Sequence, residues 1–362
     1  LIASAIPTLH LPSEPFFESA SSERYHRRVT TPLTTPSFDA VLLISFGGPK
    51  GLADIRPFLA NVLKGRQVPP QRIEEVAHHY ELFNGVSPLT ELTMRQAAGL
   101  RARLDQDGPS LPVYVGMRNW HPYLTDTIRE MARDGIKRAV GLVLAPHRSY
   151  SSCEQYRRNV LAARRELSSS GYPDVQIFYV EDWHTHEGFA SAVASRIRTA
   201  MEELPPSVRG RARLVFTAHS IPLSMARTSP YHDQLKASAN LVASKLGHPD
   251  WALVFQSRSG RPQDPWLEPD ICDYLRTERA AGLAAIVLCP IGFVADHIEV
   301  LYDLDYEAAG LCSELGITMR RAAAVNDDPL FVSMLADVIR ETVRRYEHGR
   351  PLDICADDHG AL

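Results

Sequence analysis

The feature that most constrains the fold is an internal repeat in a chain that alternates short β-rich runs with long amphipathic segments. The run VLLISFGGP (Val41–Pro49) corresponds to LVFTAHSIP (Leu214–Pro222) at an offset of 173 residues. Three more matches follow in the same order at offsets of 140, 144 and 142 residues, and they begin at Val113, Gly141 and His186. Buried strands resemble one another, but four ordered matches at nearly constant offsets indicate a duplicated unit.

The β-rich runs predict eight strands, and their alternation with helical segments is typical of parallel-sheet α/β proteins. The predicted strands are Val41–Ser45, Pro112–Gly116, Ala139–Ala145, Val175–Val180, Arg213–Ala218, Trp251–Gln256, Ala284–Leu288 and Gly316–Arg321. The repeat divides them into two sets of four. We therefore predict an α/β fold with two lobes of like topology, each built on a parallel sheet, and a cleft between them.

The same pattern predicts the domain organisation. Residues 1–37 are rich in Ser, Thr and Pro without a sustained period, so we expect a disordered N-terminal extension. The first lobe is predicted at 38–205 and the second at 210–345. A linker at Glu203–Gly210 joins them, and 346–362 is predicted to be a C-terminal tail.

One difference between the two copies locates an insertion in the first lobe. The offset falls from 173 to 140 residues between the first and second strands, so the first lobe carries 33 additional residues there. They lie at about 65–96 and include a predicted helix, Arg72–Leu82. A long insertion beside the carboxyl end of a strand suggests a lid over the cleft. A surface insertion without function is the alternative.

Composition excludes several classes of protein. The 362-residue chain has a formal net charge of −4, which gives no reason to expect a nucleic-acid partner. No run of about 18 apolar residues occurs, so no transmembrane segment is predicted. The five cysteines include no CxxC pair, which suits a reducing compartment and argues against a structural zinc site. We expect a cytoplasmic protein, with peripheral membrane contact left open.

Two candidate catalytic positions follow strands of the second lobe. After the apolar strand Ala284–Leu288 comes a helix in which Glu299, Asp303 and Glu307 recur every four residues, so three carboxylates share one face. His219 follows the first strand of that lobe, and ligands of open α/β sheets bind at the carboxyl ends of strands. A neutral histidine beside a carboxylate suits loose binding of Fe²⁺ or proton transfer. The alternatives are a solvated helix face and a histidine bonded to backbone.

The strand ends of the first lobe favour ligand binding. Phe46 holds the position that matches His219, and His147 follows the third strand. Arg118 follows the second strand among aromatic residues that include Trp120. A fixed cation in such a setting suits a flat apolar ligand with carboxylates. A helix cap or a surface ion pair is the alternative for Arg118.

Five segments resemble motifs of the ferrochelatase family, and together they span roughly residues 40–345. The segments are FNGVSPLTELT (Phe83–Thr93), EMARDGIKRAVGLVLAPH (Glu130–His147), TAHSIP (Thr217–Pro222), FQSRSG…PWLEPDI (Phe255–Ile271) and CPIGFVADHIEVLYDLDYE (Cys289–Glu307). The resemblance implies a chelatase-like fold of two Rossmann-like lobes around an active-site cleft. It also implies an enzyme of haem biosynthesis that inserts Fe²⁺ into a porphyrin and releases two protons.

The resemblance further implies roles for individual residues. His219 and Glu299 match the catalytic histidine and acid, and both are implied metal ligands. Asp303 and Glu307 match an outer metal site and a path for protons or iron on a π-bulged helix. The porphyrin-binding residues that it implies are Phe46, Arg66, Tyr80, Ser87, Arg118 and Tyr156.

The resemblance also bears on which porphyrin is the substrate. RSYSSCEQYRRN (Arg148–Asn159) resembles the coproporphyrin-type actinobacterial and firmicute members more than the mitochondrial ones. Many members that use coproporphyrin III have Tyr at the position of Phe46, and Phe cannot ligate iron. We expect coproporphyrin III as the substrate, with protoporphyrin IX as the alternative.

Cofactor and partner expectations complete the interpretation. Fe²⁺ is expected to be a substrate and no cofactor to be tightly bound. No cysteine cluster follows the last helix, so no 2Fe–2S centre is expected. A monomer is expected. The rival interpretations are a chelatase acting on sirohydrochlorin and a non-catalytic protein that binds porphyrin or haem.

Overall fold

Two β-sheets form the framework of the protein. The computed structural model describes residues 37–65, 68–259 and 263–350, together with one short strand beyond them. The strands are β1 (Ala40–Ser45), β2 (Val113–Met117), β3 (Arg138–Val143), β4 (Gln176–Tyr179), β5 (Arg213–His219), β6 (Trp251–Gln256), β7 (Ala285–Cys289), β8 (Thr318–Arg321) and β9 (Asp353–Ile354). The first sheet has five strands in the order β2-β1-β3-β4-β9, and the second has four strands in the order β6-β5-β7-β8.

Helices surround the sheets. They are α1 (Ile55–Val62), α2 (Pro70–Glu81), α3 (Leu89–Asp107), α4 (Leu124–Arg133), α5 (Gln155–Ser169), α6 (Glu187–Glu202), α7 (Pro206–Arg209), α8 (Leu223–Arg227), α9 (Tyr231–Leu246), α10 (Ile271–Ala280), α11 (Ile298–Val300), α12 (Ala309–Leu315) and α13 (Pro329–Glu347). Two segments, Tyr150–Glu154 and Leu301–Ala308, are π-helical. None of the helices within the described residues is long and apolar enough to cross a membrane.

The strand order confirms the predicted duplication. In both sheets the first strand of the lobe lies between the second and the third, and the fourth follows the third. These eight strands pair in parallel, with Val41 opposite Val113 in one lobe and Leu214 opposite Trp251 in the other. Every residue of β1 is buried, as expected where helices cover both faces of a parallel sheet. The α/β fold with two parallel sheets is therefore as predicted.

The two lobes share one hydrophobic core, which the repeat did not indicate. Helix α6 ends the first lobe but packs against α9, β7 and β8 of the second. Helix α13 ends the second lobe but packs against α3 and α6 of the first. Phe189 of α6, Phe216 of β5 and Phe331 of α13 all belong to this core. The exchange of terminal helices ties the lobes together and fixes the strand ends of one lobe relative to those of the other.

The chain beyond the second lobe returns to the first sheet. Helix α13 extends through Glu347, past the predicted lobe boundary at 345. Strand β9 then pairs antiparallel with β4, which places Ile354 opposite Phe178. The predicted N-terminal extension lies outside the described residues apart from its last member, Ser37. That residue is buried, and its hydroxyl donates to the carboxylate of Glu347 at 3.1 Å.

The insertion predicted at about 65–96 contains α2 and the start of α3. Its helix packs on α1 through a small apolar cluster that includes Phe58, Leu59 and Ala77. The turn after α2 lies directly against the loop after β1, since a Cβ on Gly85 would lie 2.4 Å from the Gly51 carbonyl carbon. Gly85 also has a φ of +73°, so this turn requires glycine on two counts.

Candidate active site

His219 and Glu299 meet at the carboxyl ends of two neighbouring strands. His219 is the last residue of β5, and Glu299 lies in α11 beyond the end of β7. Because β5 and β7 pair in parallel, their ends lie at the same edge of the sheet. The Nε2 atom of His219 is 3.8 Å from Oε2 of Glu299. Their side chains are 30% and 48% exposed, so both remain accessible to a ligand.

The surroundings of His219 indicate which ring nitrogen is available. Its Nδ1 lies in a close contact with the carbonyl oxygen of Ser220, which can only accept a hydrogen bond. A neutral imidazole therefore carries its proton on Nδ1 and presents the lone pair of Nε2 towards Glu299. The backbone carbonyl of His219 in turn accepts a hydrogen bond from the Tyr231 hydroxyl at 3.0 Å. The Nδ1 contact holds the ring, and the Tyr231 bond holds the backbone that carries it.

Gln256, at the end of β6, connects the strand ends to the acidic helix. It is 1% exposed, and its Oε1 accepts a hydrogen bond from the Thr217 hydroxyl at 2.8 Å. Its Nε2 donates to the Glu299 carbonyl at 3.1 Å and to Oδ2 of Asp303 at 3.2 Å. The hydroxyl of Ser257 donates to the same Asp303 oxygen in a short contact. Both residues lie in the segment FQSRSG that resembles a family motif. Neither was singled out from the sequence, because nothing local to them indicates a contact with Asp303.

The three carboxylates of the acidic stripe differ in their environments. Asp303 is half-buried, and burial together with the charges of Glu299 and Glu307 raises its pKa to about 7. Glu307 is exposed, but partial desolvation and the charge of Asp270 still raise its pKa. The segment that carries both residues is π-helical, and its wider turns bring residues four apart closer to one line than an α-helix does.

The wall contributed by the first lobe is aromatic. Phe46 follows β1 and lies edge-on to Phe58, with ring centroids 6.2 Å apart. Tyr80 of the insertion is half-buried and packs on the same Phe58 at 5.7 Å. Burial, and secondarily the charge of Glu299, raises the pKa of Tyr80. The Tyr80 hydroxyl is therefore within electrostatic reach of Glu299, so this wall faces the second lobe.

Arg118 lies on the same wall, beside α5. Its Nη1 donates to Oε1 of Gln155 at 2.8 Å, and its Cζ lies 5.9 Å from the centroid of the Tyr156 ring. Tyr156 is only 7% exposed, and burial is the main reason that its pKa is raised; Glu299 adds to the effect. The structure thus brings Arg118 and Tyr156 together opposite Glu299. In this arrangement Tyr156 supports the guanidinium from below.

An aromatic contact joins helix α2 of the insertion to the second lobe. The ring of His79 in α2 stacks on Tyr302, with centroids 3.6 Å apart and planes inclined by 9°. Tyr302 in turn stacks on Tyr306 at 5.5 Å. Since Tyr302 directly precedes Asp303, the insertion touches the acidic helix at the edge of the cleft. This contact was not predicted, because nothing local to either residue indicates its partner.

Two of the residues chosen from the sequence, Ser87 and His147, are buried. Ser87 is 4% exposed and packs against Gly48, whose added Cβ would lie 2.7 Å from the Ser87 Cβ. His147 was expected to line the cleft but is 1% exposed, with Nε2 2.9 Å from the Ser238 hydroxyl. Burial lowers the pKa of His147 to about 3, so it is an interior residue between the lobes. Arg66 lies outside the described residues.

The fold is that of two-lobed chelatases. The structure resembles that of the sirohydrochlorin chelatase SirB from Bacillus subtilis subspecies spizizenii in complex with cobalt, with a TM-score of 0.52 and 12% identity over 87% of this chain and 100% of that one. It also resembles SirB from Bacillus subtilis with Fe³⁺, with a TM-score of 0.53 and 13% identity over the same shares of the two chains. At this identity the likeness establishes the fold alone.

Sequence comparison gives the family. A ferrochelatase family profile matches residues 38–343. The chain is 44% identical to a ferrochelatase of Rhodopirellula baltica over 331 residues. These aligned residues cover 89% of this chain and 93% of that protein. It is 43% identical over 335 residues to the coproporphyrin III ferrochelatase of Streptomyces griseus, which covers 88% and 89%. The chain belongs to the ferrochelatase family, whose members insert iron into a porphyrin, and it is an enzyme of haem biosynthesis.

Proposed function

We propose that this ferrochelatase inserts Fe²⁺ into coproporphyrin III and that His219 and Glu299 act together in the exchange of the ion for two pyrrole protons. The observation that carries the assignment is the 3.8 Å approach of His219 Nε2 to Glu299 Oε2 at adjoining strand ends. One side chain offers a neutral nitrogen lone pair and the other a carboxylate. Both types of group serve as proton acceptors in catalysis, and both bind a borderline divalent ion.

Asp303 and Glu307 serve as the outer metal site and as a path between this pair and solvent. Support comes from the gradient of exposure along the segment, with Asp303 half-buried and Glu307 exposed. A carboxyl whose pKa lies at about 7 can hold or release a proton at physiological pH. Asp303 is hydrogen-bonded to Gln256, which also bonds the Glu299 backbone, so the outer and inner carboxylates are mechanically linked.

The macrocycle lies against the aromatic wall of the first lobe. Phe46 and Tyr80 supply apolar surface, and the Arg118 guanidinium pairs with a propionate while Tyr156 supports it. Ser87 and Arg66 belong to the insertion and complete the proposed porphyrin-binding set. Phe46 provides no oxygen to ligate iron, so the metal receives its protein ligands from the second lobe.

The choice of coproporphyrin III rests on relatives. Proteins 43% and 44% identical to this chain, from two Streptomyces species and Nocardia farcinica, are coproporphyrin III ferrochelatases. We further propose that the enzyme is a cytoplasmic monomer without a resident cofactor or 2Fe–2S centre. The free cysteines within the described residues, Cys153, Cys272, Cys289 and Cys312, lie on four different elements.

The test is anaerobic incubation of the protein with Fe²⁺ and each porphyrin separately, followed by absorbance. We expect metalation of both coproporphyrin III and protoporphyrin IX, with coproporphyrin III the faster. A faster reaction with protoporphyrin IX would make that porphyrin the substrate, and binding without metalation of either would leave a porphyrin-binding protein.

The site assignment is tested by His219→Ala in the same assay. We expect metalation to be abolished while quenching of porphyrin fluorescence on binding persists. The matched control is His232→Ala, which removes another half-buried histidine of the second lobe, on α9. Full activity of His219→Ala would overturn the assignment, and loss of activity in both variants would show a general effect on folding.

A further inference from the structure

One guanidinium holds both ends of the segment that carries Glu299. Arg321 is the last residue of β8. Its Nη1 donates to Oδ1 of Asp296 at 2.9 Å. Its Nε and Nη2 donate to the two carboxylate oxygens of Asp305 at 2.6 and 2.8 Å. Asp296 precedes Glu299 by three residues, and Asp305 follows it by six, so the two contacts bracket the acid.

Both ends of this bracket are well anchored. The side chains of Arg321 and Asp296 are each 13% exposed. Asp296 also accepts hydrogen bonds from Asn326 Nδ2 at 2.8 Å and from the Ala324 amide at 3.2 Å, and its own amide donates to Asn326 Oδ1 at 2.8 Å. At the other end the planar guanidinium engages Asp305 through two parallel bonds, a geometry that restricts rotation as well as distance. Lysine cannot reproduce these contacts, because it presents a single ammonium.

The two faces of the π-helical segment are held by different partners. Asp303 bonds Gln256 and Ser257 on one side. Residues two apart on a helix lie on different faces, so Asp305 points away from Asp303. Its carboxylate accepts the hydrogen bonds of Arg321. The segment is thus fixed between β6 and β8, and Glu299 lies in α11, which directly precedes it. π-helical turns are rare and are frequent at functional sites, which gives these two contacts particular weight.

We propose that Arg321 is a positioning residue for the metalation reaction, which sets the place of Glu299 relative to His219 by holding Asp296 and Asp305 at once. This inference rests on the proposed role of Glu299. Arg321 itself touches neither iron nor porphyrin in the proposed arrangement. Its loss would displace the acid without changing the aromatic wall that binds the macrocycle.

The test compares Arg321→Lys with a matched control, Arg164→Lys. Arg164 makes the same two-pronged contact with Asp174, at 2.9 and 2.7 Å, and its side chain is 14% exposed. It lies on α5, a helix of the other lobe. Both variants therefore lose a bidentate pair made by an arginine of similar burial, and Arg321→Lys in addition loses the bond to Asp296. Both should lower thermal stability, Arg321→Lys the more. Only Arg321→Lys should change catalysis.

Steady-state metalation is measured with Fe²⁺ and porphyrin varied in turn, and porphyrin binding by fluorescence quenching. We expect Arg321→Lys to lower kcat/KM for Fe²⁺ by about 10- to 100-fold, the scale of a misplaced catalytic group, with porphyrin Kd changed less than about twofold. Asp305→Asn, which weakens one end only, should show the same split to a smaller extent. It also serves as the second variant if Arg321→Lys does not fold.

Several results would overturn the inference. One is a folded Arg321→Lys or Asp305→Asn variant with wild-type kinetics for Fe²⁺. Another is an equal loss of activity in Arg164→Lys, which would assign the effect to stability. A third is a parallel loss of porphyrin binding. Failure of the wild-type enzyme to metalate any porphyrin would instead overturn the proposed function, so the two failures are distinguishable.

Discussion

Replacement of Asp303 by Asn should make the protein more stable above neutral pH. The pKa of this carboxyl rises from an ordinary value of 3.8 to about 7, chiefly because of burial. The folded state therefore binds a proton more tightly than the unfolded state, and ionisation of Asp303 destabilises the fold. Stability falls as pH rises from about 4 to about 7, and the full penalty is present above pH 7. Asn mimics the protonated acid and avoids that penalty.

The size of the effect follows from the shift. One pKa unit corresponds to about 1.4 kcal/mol, so a rise from 3.8 to about 7 corresponds to at most about 4 kcal/mol. Asp303 is only half-buried, and solvent screening reduces the expected gain to about 2 kcal/mol. The amide oxygen of Asn can still accept the hydrogen bonds from Ser257 and Gln256. The neutral side chain should nevertheless impair the proposed passage of iron and protons.

The assay is urea unfolding of wild type and Asp303→Asn, followed by tryptophan fluorescence at pH 5 and pH 8. The stability advantage of the variant should grow between these two pH values. Asp337→Asn serves as the control, since it removes an exposed carboxylate from α13, where ion pairs contribute little. An advantage that is independent of pH, or a variant that is less stable than wild type at pH 8, would refute the reasoning.

Two further predictions concern the insertion. Gly48→Ala should cost about 1–3 kcal/mol of unfolding free energy by overpacking, because the new Cβ would lie 2.7 Å from that of Ser87. Thermal unfolding should show rescue by Ser87→Gly in the double variant and no effect of Gly51→Ala, where the added Cβ meets nothing within 4 Å; absence of rescue would contradict the steric cause. His79→Ala should remove the stack on Tyr302, worth about 0.5–1.5 kcal/mol, and speed porphyrin entry and release in stopped-flow fluorescence. His78→Ala, at an exposed neighbour, is the control, and equal rates in wild type and His79→Ala would show that the stack does not gate the cleft.

The raised pKa of Asp303 also bears on why the residue is present. The presence of a carboxylate whose ionisation destabilises the folded state at neutral pH is not explained by stability, and strongly perturbed carboxyls are concentrated at functional sites. Ser257, whose hydroxyl bonds Asp303, adds a conformational cost, because it is a non-glycine residue with a φ of +61°. Both observations favour a functional origin for this corner of the cleft.

The pattern of the sequence determined the secondary structure and the duplication. Apolar runs of five or six residues between turn residues are a local signal, and all eight predicted strands are present. The constant offsets predicted two sheets of equal strand order, as observed. Because the carboxyl ends of parallel strands meet at one edge, the topology alone brought His219 towards Glu299. The resemblance to a family then suggested roles for them.

Tertiary structure alone decided what each strand-end residue touches. His147 ends a strand, as His219 does, yet helix α9 covers it and supplies Ser238 as its partner 91 residues away in the chain. Arg321 has no signal of its own, and Gln256 is marked only as part of the segment FQSRSG. The importance of both lies in contacts with distant residues: Gln256 with Asp303, 47 residues away, and Arg321 with Asp305, 16 residues away. Hydrophobic periodicity reports which face of an element is buried, but it carries no information about which distant side chain covers that face. Packing between elements supplies this information, and it placed the first of a row of carboxylates, Glu299, 3.8 Å from His219.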